Sequence, residues 1–242
     1  MTPVSGLDEP ALSVVIPVYN EGPNIEATLR GLFASVAARP LEVLVVYDRD
    51  DDDTVPVVRR LQEALPEVLL HRNQFGGGAL AAVRSGLDAG RAPYLLAMMA
   101  DGSDDPGDID AMLALARDGA DVVAASRYMP GGRQHGGPPL KRLLSRGAGI
   151  TLHHLGGLPV HDATSNFRLY SRRLLDRVDI ESRAGFELAL ELTVKASLLG
   201  YRLAEVPTTW RDRSAGTSSF RLWKWLPHYL RWYRLGLAAR FR

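Results

Sequence analysis

Cysteine is missing from this 242-residue sequence, so neither a disulfide-stabilised scaffold nor a thiolate metal site can form. Long hydrophobic runs are missing too, because no stretch approaches the roughly 18 apolar residues that a membrane-spanning helix needs. The first ten residues, MTPVSGLDEP, have neither the basic start nor the apolar segment of a secretory signal peptide. We therefore expect a protein that works in the cytoplasm.

A strong excess of one charge is also absent. The 29 Lys and Arg residues nearly balance 28 Asp and Glu residues, and a net charge of +1 gives no general reason to expect a nucleic-acid partner. The C-terminal segment is the exception, since no acidic residue follows Asp212 and all four tryptophans lie from Trp210 onward. Seven basic residues lie in that segment: Arg213, Arg221, Lys224, Arg231, Arg234, Arg240 and Arg242.

Short β-rich apolar runs alternate with helical patterns along the first half of the chain. The helical patterns show apolar residues on one face, whereas the strand patterns are continuous apolar runs. This alternation predicts an α/β fold with a mostly parallel sheet flanked by helices on both faces. The predicted strands are 11–19, 41–47, 68–71, 94–100 and 120–126, and the predicted helices are 24–38, about 55–65, about 78–90 and 107–117.

Polar residues follow four of these predicted strands. The segments are YNEGPN, DRDDDDT, RNQFGGG and DGSDDP, in chain order. Ligands of open α/β sheets bind beyond the carboxyl ends of the strands, so we expect the site there. Asp48, directly at a strand end, is placed to accept hydrogen bonds from a base or ribose. Glycines 76–78 lack the spacing of a dinucleotide fingerprint, and we expect them to allow a close approach of a helix to the sheet.

The segment AMMADGSDDPGD, residues 97–108, contains four aspartates. Asp105 before a proline is typical of a helix N-cap, and Asp108 suits the first helical turn. Asp101 and Asp104 precede that cap on a glycine-containing turn and could converge on one hard cation such as Mg²⁺ or Mn²⁺. A solvated acidic turn without metal is an equally open alternative.

Seven segments resemble family 2 glycosyltransferases, and most of all their polyprenyl-phosphate, dolichol-phosphate mannose synthase-like branch. They occur in the family's order: SVVIPVYNE, EVLVVYDRDDDDT, RNQFGGGALAAVRSGL, MADGSDDP, AASRY, DATSNFRLYSRRLL and LGYRLAEVPTTWRDRSAGTSS. The resemblance covers about residues 12 to 220. It implies a Rossmann-like sheet of the GT-A type, carrying a site for a nucleotide diphosphosugar.

The resemblance also implies roles for individual positions. The nucleotide pocket would use Pro17, Tyr19, Glu21, Asp48 and Asp101. Mg²⁺ or Mn²⁺ would bind Asp101 and Asp104, although DGSD differs in spacing from the usual D-x-D. The acceptor or sugar phosphate would contact Arg127, Arg142, Arg168, Arg213 and Ser218. Ser219 stands where the family has a lysine, which Arg221 could replace.

The activity implied by the resemblance is an inverting, metal-dependent transfer of a hexose from a donor of the GDP-mannose or UDP-glucose type to a polyprenyl or dolichyl phosphate. Its catalytic residues would be Asp101, Asp104, Asp162 and Arg168. A divalent cation would neutralise the diphosphate leaving group. A lipid phosphate is already an anionic nucleophile, so a strong general base is less necessary. Asp162 is the candidate base, and a purely structural role in a turn is equally open for it.

Two amphipathic segments suggest contact with a membrane surface. Residues 139–155 interleave basic residues with leucines, and the C-terminal segment combines an apolar stripe with tryptophan and arginine. We expect a catalytic domain at 1–218 and a membrane-interfacial tail at 219–242, at the inner face of the membrane. We favour that role over a helix docked on the protein. The stripe comprises Leu222, Leu226, Tyr229, Leu230, Tyr233 and Leu237.

Three alternatives stand beside this interpretation. A nucleotide-sugar-binding scaffold without catalysis would fit the altered DGSD spacing and the absent lysine. A family 2 glycosyltransferase could also act on an acceptor that is not a lipid. A sugar nucleotidyltransferase would need a glycine-rich basic loop after the first strand, and PVYNEGPN is not such a loop.

Overall fold

The computed structural model describes residues 9–183, 187–212 and 222–238, with side chains described from residue 226 in the last range. These residues form nine strands and eight helices. The strands are β1 (Leu12–Pro17), β2 (Leu41–Tyr47), β3 (Val68–Arg72), β4 (Tyr94–Ala97), β5 (Val122–Ser126), β6 (Arg133–His135), β7 (Arg168–Ser171), β8 (Leu203–Pro207) and β9 (Thr209–Arg211). The helices are α1 (Gly22–Ser35), α2 (Thr54–Leu61), α3 (Ala79–Ala89), α4 (Ile109–Arg117), α5 (Pro139–His154), α6 (Arg172–Leu175), α7 (Leu188–Leu198) and α8 (Leu222–Ala238).

Seven of the strands form one sheet, in the order β3-β2-β1-β4-β7-β5-β8. All neighbours are parallel except β7, which is antiparallel to both β4 and β5. The predicted mostly parallel α/β sheet is therefore confirmed. β6 and β9 pair separately as a small parallel ribbon.

The two faces of the sheet are covered by different helices. Along β1, Val14 and Ile16 pack into a core with α1, α2 and α4. Val15 points to the other face and packs into a core with α3 and α7. Successive side chains of a strand alternate between faces, and burial on both faces explains why β1 is apolar throughout.

The glycines of 76–78 do not have the predicted packing role. Gly76 and Gly78 have positive φ angles of 94° and 108°, and a Cβ on either would meet nothing within 4 Å. Their role is to turn the chain into α3. The close approach of helix to sheet occurs at Gly86, where a Cβ would lie 2.2 Å from Val15 Cγ1.

Strand β7 is not among the predicted strands, yet it determines where the second half of the chain enters the site. Its first residue, Arg168, pairs with Ala97 at the end of β4 and with Ala124 of β5. Because β7 runs antiparallel, its amino end and the preceding segment 162–167 lie at the carboxyl edge of its parallel neighbours. A four-residue strand that begins with arginine has no clear periodic signal.

The C-terminal helix α8 docks on α5 and α7. Trp232 is 2% exposed within a cluster that includes Leu152 and Val194, and Tyr229 and Tyr233 pack against it. Tyr229 and Tyr233 of the predicted stripe therefore cover a protein core, whereas Leu230 is 38% exposed, and contact of the stripe with a membrane stays a prediction. Leu237 also packs there, whereas the Leu222 side chain and the predicted boundary at 218/219 lie outside the described residues.

Among the helices that the structure describes, none has both the length and the apolar character needed to cross a membrane.

Candidate active site

A cavity of about 530 Å³ opens at the carboxyl ends of β4 and β5. One wall is polar, and the other is an apolar surface supplied by α5, α7 and α8. The polar lining includes Asp101, Ser103, Asp104, Arg127, Lys141, Ser145, Thr164, Ser165 and Asn166. The apolar lining includes Leu143, Leu144, Phe167, Leu190, Leu226, Tyr229, Leu230 and Tyr233.

Asp101 and Asp104 lie on a tight turn that follows β4. Gly102 supplies the positive φ of 71° that the turn needs. Asp101 Oδ1 accepts a hydrogen bond from Ser103 N at 3.1 Å, and Asp104 Oδ2 accepts one from Met99 N at 2.9 Å. β4 ends at Ala97 rather than at the predicted residue 100.

Asp105 has the predicted role of a cap. Its Oδ1 accepts a hydrogen bond from Gly107 N at 3.0 Å, at the start of a short 3-10 turn (Pro106–Asp108) that leads into α4. Asp108 lies in that turn, as the first-turn prediction required. The acidic cluster is thus divided between a helix start and the cavity.

The two cavity aspartates concentrate negative charge away from water. Asp101 is 6% exposed and Asp104 is 8% exposed. Burial raises the pKa of Asp104 to about 7, and the neighbouring charge of Asp101 adds to that rise. A bound divalent cation would counteract the unfavourable effect of burial on the charged form, because it would stabilise both carboxylates in their ionised form.

The donor set is suitable for Mg²⁺ or Mn²⁺. Both ions prefer oxygen ligands, and Mg²⁺ commonly binds through one or two carboxylates, with substrate phosphates and water completing the shell. The described residues contain no group of three or more acidic, histidine or cysteine side chains that could hold a metal by themselves. The two carboxylates therefore fit a metal whose remaining ligands come from a bound diphosphate.

Arg127, which follows β5, is held in place by Asp162. Its Nε donates to Asp162 Oδ2 at 2.7 Å, and its Nη2 donates to Asp162 Oδ1 at 3.0 Å. Nη2 also reaches Ser145 Oγ at 3.2 Å and Thr164 Oγ1 at 3.1 Å. This bidentate pair places a cation in the lining of the same cavity as Asp101 and Asp104.

Asp162 cannot serve as the predicted general base. It is fully buried, and its carboxylate also accepts hydrogen bonds from Thr164 N and Ser165 N. Burial alone would raise its pKa, but the Arg127 guanidinium outweighs that effect and lowers it. This geometry favours the structural alternative, in which Asp162 holds Arg127 in position.

The prediction that Arg168 contacts a phosphate is also wrong for this structure. Its side chain is fully buried and lies outside the cavity lining. The guanidinium donates to Ala189 O at 3.1 Å, to Thr193 Oγ1 and to the backbone oxygen of Asp162. Arg168 therefore ties β7 to α7 and supports the segment that carries Asp162.

Arg142 does not line this cavity either. It lies in the lining of a second cavity, whereas Lys141 and Ser145 line the first. Neighbouring residues of a helix point about 100° apart, and residues four apart share a face. Lys141 and Ser145 are not among the predicted phosphate ligands, although their i, i+4 spacing on an amphipathic segment is a signal present in the sequence. Arg213 and Ser218 lie outside the described residues.

Apart from Asp101, which lines the first cavity, the predicted nucleotide residues lie at the ends of β1 and β2, and β1 is next to β4 in the sheet. Pro17 closes β1, Tyr19 is 64% exposed, and Glu21 stands at the start of α1. Asp48 follows β2 and accepts hydrogen bonds from Asn73 Nδ2 and Gly78 N, each at 2.7 Å. These residues are outside the lining of the first cavity, so the structure groups them with the neighbouring strand ends.

Asp52 joins the loops after β1 and β2. It is buried, and its carboxylate accepts hydrogen bonds from Asn20 N at 3.1 Å and Thr54 N at 2.9 Å. Asp51 of the same acidic run is exposed and paired with Arg49. The run therefore contains one buried carboxylate, which holds the loops after β1 and β2 together.

Comparison with known proteins identifies the family of this chain. Residues 13–179 match the model for "Glycosyl transferase family 2". The chain is 33% identical over 212 residues to polyprenol monophosphomannose synthase of Mycolicibacterium smegmatis, covering 85% of this chain and 79% of that relative. It is 31% identical over 236 residues to undecaprenyl-phosphate mannosyltransferase of Micrococcus luteus, covering 94% of each.

A solved structure supports the fold. The mannosyltransferase from Pyrobaculum calidifontis in complex with GDP-Man and Mn²⁺ aligns with a TM-score of 0.65 at 20% identity, covering 93% of this chain and 63% of that one. The mostly parallel sheet is thus of the GT-A type. Because the family model covers more than half of the chain and both named relatives exceed 30% identity, this chain belongs to glycosyl transferase family 2 and is a glycosyltransferase.

Proposed function

We propose that the chain transfers a hexose from a nucleotide diphosphosugar to a polyprenyl phosphate. One observation carries this proposal: a single cavity combines two buried carboxylates, two cationic side chains and an apolar wall between helices. The carboxylates suit the donor's diphosphate, the cations suit an acceptor phosphate, and the apolar wall suits an isoprenoid chain. The names of the two relatives favour mannose as the sugar.

The donor would bind along the ends of β1, β2 and β4. Asp48 and the residues after β1 would contact the nucleoside, and Asp101 and Asp104 would hold Mg²⁺ or Mn²⁺. Such an ion supplies neutralisation of the diphosphate leaving group. Support for the ion comes from the raised pKa of Asp104 and from the oxygen-only donor set.

The acceptor phosphate would bind Arg127 and Lys141. Arg127 is preorganised by Asp162, so little side-chain freedom is lost when it pairs with an anion. The isoprenoid chain would lie against apolar side chains of α5 and α8, of which Leu143 and Tyr229 are examples. The α8 stripe would thus contact a lipid substrate inside the protein.

Direct displacement with inversion is the chemistry we propose for this arrangement. No histidine lines the described part of the cavity, and Asp162 is unavailable as a base. A phosphate monoester is anionic at neutral pH and needs no proton removed before it attacks. Orientation by Arg127 and Lys141, together with charge neutralisation at the diphosphate, would supply the catalysis.

The membrane contact would lie on α5. Leu143 is 69% exposed and Leu140 is 50% exposed, and both stand beside basic residues of the same helix. An amphipathic helix with exposed leucines and basic neighbours suits an anionic interface. We propose peripheral binding at the inner face of the membrane, with the mouth of the cavity at the lipid surface.

The test is a transfer assay with the full chain, a polyprenyl phosphate and a panel of radiolabelled nucleotide sugars that includes GDP-mannose and UDP-glucose. We expect labelled glycolipid from one donor, only with Mg²⁺ or Mn²⁺ present, and none when unphosphorylated polyprenol replaces the acceptor. NMR of the product's anomeric centre checks inversion. Failure of every donor to give a metal-dependent glycolipid would contradict the proposal.

A further inference from the structure

A second cavity, of about 770 Å³, lies against another face of α5. This helix contributes Arg142, Arg146, Ile150 and His154 to its lining, and their four-residue spacing places them on one stripe. The first cavity is lined by a different stripe of the same helix. Arg127 lines both cavities, so the second one begins directly behind the wall of the active site.

Positive charge from separate elements converges on this second cavity. Arg133 comes from β6, Arg142 and Arg146 come from α5, and His154 and His161 add imidazole rings. The described lining contains no carboxylate.

Two acidic groups that contact residues of that lining are Asp162 and Glu205. Asp162 pairs with Arg127, and Glu205 accepts hydrogen bonds from His161 N at 2.8 Å and contacts its Nδ1 at 2.5 Å. Within the described residues, no carboxylate lies within 4.0 Å of the Arg133, Arg142 or Arg146 guanidinium. The three like charges therefore repel one another around a concave space, and an anion would relieve that repulsion.

We propose that the second cavity binds a phosphate-type anion through Arg133, Arg142 and Arg146. Guanidinium groups present paired N–H donors that match phosphate oxygens, so arginines from two elements can grip one phosphate from two sides. The cavity volume is within the range of about 300 to 1,000 Å³ of ordinary ligand sites. The anion is either the phosphate of a lipid headgroup, since α5 also carries the exposed leucines, or a free phosphate.

This site is separate from the acceptor-phosphate position proposed in the first cavity. Lys141 lines only the first cavity, and Arg146 lines only the second. Substitution of one or the other therefore distinguishes the two sites. Arg133 and Arg146 are both exposed, so their removal is compatible with folding. The matched control is Arg59, an exposed arginine on α2, outside both linings.

The experiment measures binding of two probes to the full chain and its variants. Calorimetric titration with inorganic phosphate and pyrophosphate tests a free anion, and cosedimentation with phosphatidylcholine vesicles, with or without phosphatidic acid, tests a headgroup. We expect Arg146→Gln and Arg133→Gln each to weaken binding of at least one probe about tenfold, the loss of one charge-assisted contact. Arg59→Gln should retain that binding.

The pattern of losses identifies the source of the anion. Weakening confined to phosphatidic acid vesicles assigns the site to a lipid headgroup, and weakening with the soluble probes assigns it to a free phosphate. If Arg146→Gln and Arg133→Gln bind both probes as tightly as Arg59→Gln does, the proposal is wrong. It is also wrong if Lys141→Gln, rather than these two variants, removes phosphate binding.

Discussion

Two buried acidic groups beside the same cavity have pKa values shifted in opposite directions. Asp162 is neutralised by the Arg127 guanidinium, which lowers its pKa against the effect of burial. Asp104 is nearly as buried, and burial with the charge of Asp101 raises its pKa to about 7. The first carboxylate has a bidentate cationic partner, whereas the pKa of the second stays raised despite its hydrogen bond from Met99 N. The difference is consistent with a supporting role for Asp162 and with the metal site proposed at Asp104.

The apolar residues of the two amphipathic helices repeat this contrast. Tyr229, Tyr233 and Leu237 of α8 pack against a protein core, whereas α5 leaves Leu140 and Leu143 in contact with solvent. A surface that the protein covers itself contributes to stability. A surface that it leaves open is available for a substrate or a membrane.

The largest expected effect is on activity. Asp101→Asn should reduce hexose transfer on the order of a thousandfold, because the proposed cation loses a charged ligand at the leaving group. Thermal unfolding of the metal-free variant should change little. Steady-state transfer rates measure the effect. Asp51→Asn, in the exposed acidic run, is the control, and full activity in Asp101→Asn would remove this residue from the site.

The paired carboxylate should behave in the opposite way. Asp162→Asn leaves the Arg127 charge without its buried partner and should lower the free energy of unfolding by about 3 to 5 kcal/mol. Urea denaturation followed by circular dichroism measures this loss. Asp118→Asn removes the carboxylate of the exposed pair with Arg202 and should have little effect. Equal free energies of unfolding for the two variants would contradict a stabilising role for the buried Asp162–Arg127 pair.

The pH dependence of stability should identify the open carboxylate. A pKa of Asp104 that is higher in the folded protein means that the folded state binds more protons than the unfolded state. Its contribution is therefore fully present below about pH 4 and is lost as the pH rises to about 7. Asp104→Asn should lack this loss when denaturation is followed without metal. A wild-type stability that rises relative to the variant across this window would give the wrong sign.

The smallest effect concerns the open apolar face. Leu143→Ser should weaken binding to anionic vesicles several-fold, because about 1.5 to 3 kcal/mol of burial per leucine is the most that this contact can provide. Vesicle cosedimentation measures it. Leu199→Ser serves as the control, since Leu199 is 61% exposed at the end of α7, away from α5. Identical vesicle binding by the two variants would count against α5 as the membrane contact.

Much of the sheet and the acidic turn could be read from residue order. Buried parallel strands are continuous apolar runs, and the Asp105-Pro106 pair marks a helix start, so both are local signals. The two roles of Asp162 were left open and that of Arg168 was misassigned because burial is not a local property. The same sequence segment is compatible with an exposed catalytic base and with a buried structural residue. Only the insertion of β7 between β4 and β5 decides between these two environments.

By itself, the sequence determined the α/β alternation, the family and the position of Asp101 and Asp104 after a strand, because these depend on periodicity, on ordered motifs and on adjacency along the chain. The tertiary structure decided which charges are neutralised and which apolar stripe is covered. Asp162 meets Arg127 across 35 positions, and Thr151 meets Tyr233 across 82. Contacts between residues so far apart in the sequence determine the local dielectric and the exposure of each side chain, and both depend on how the chain packs.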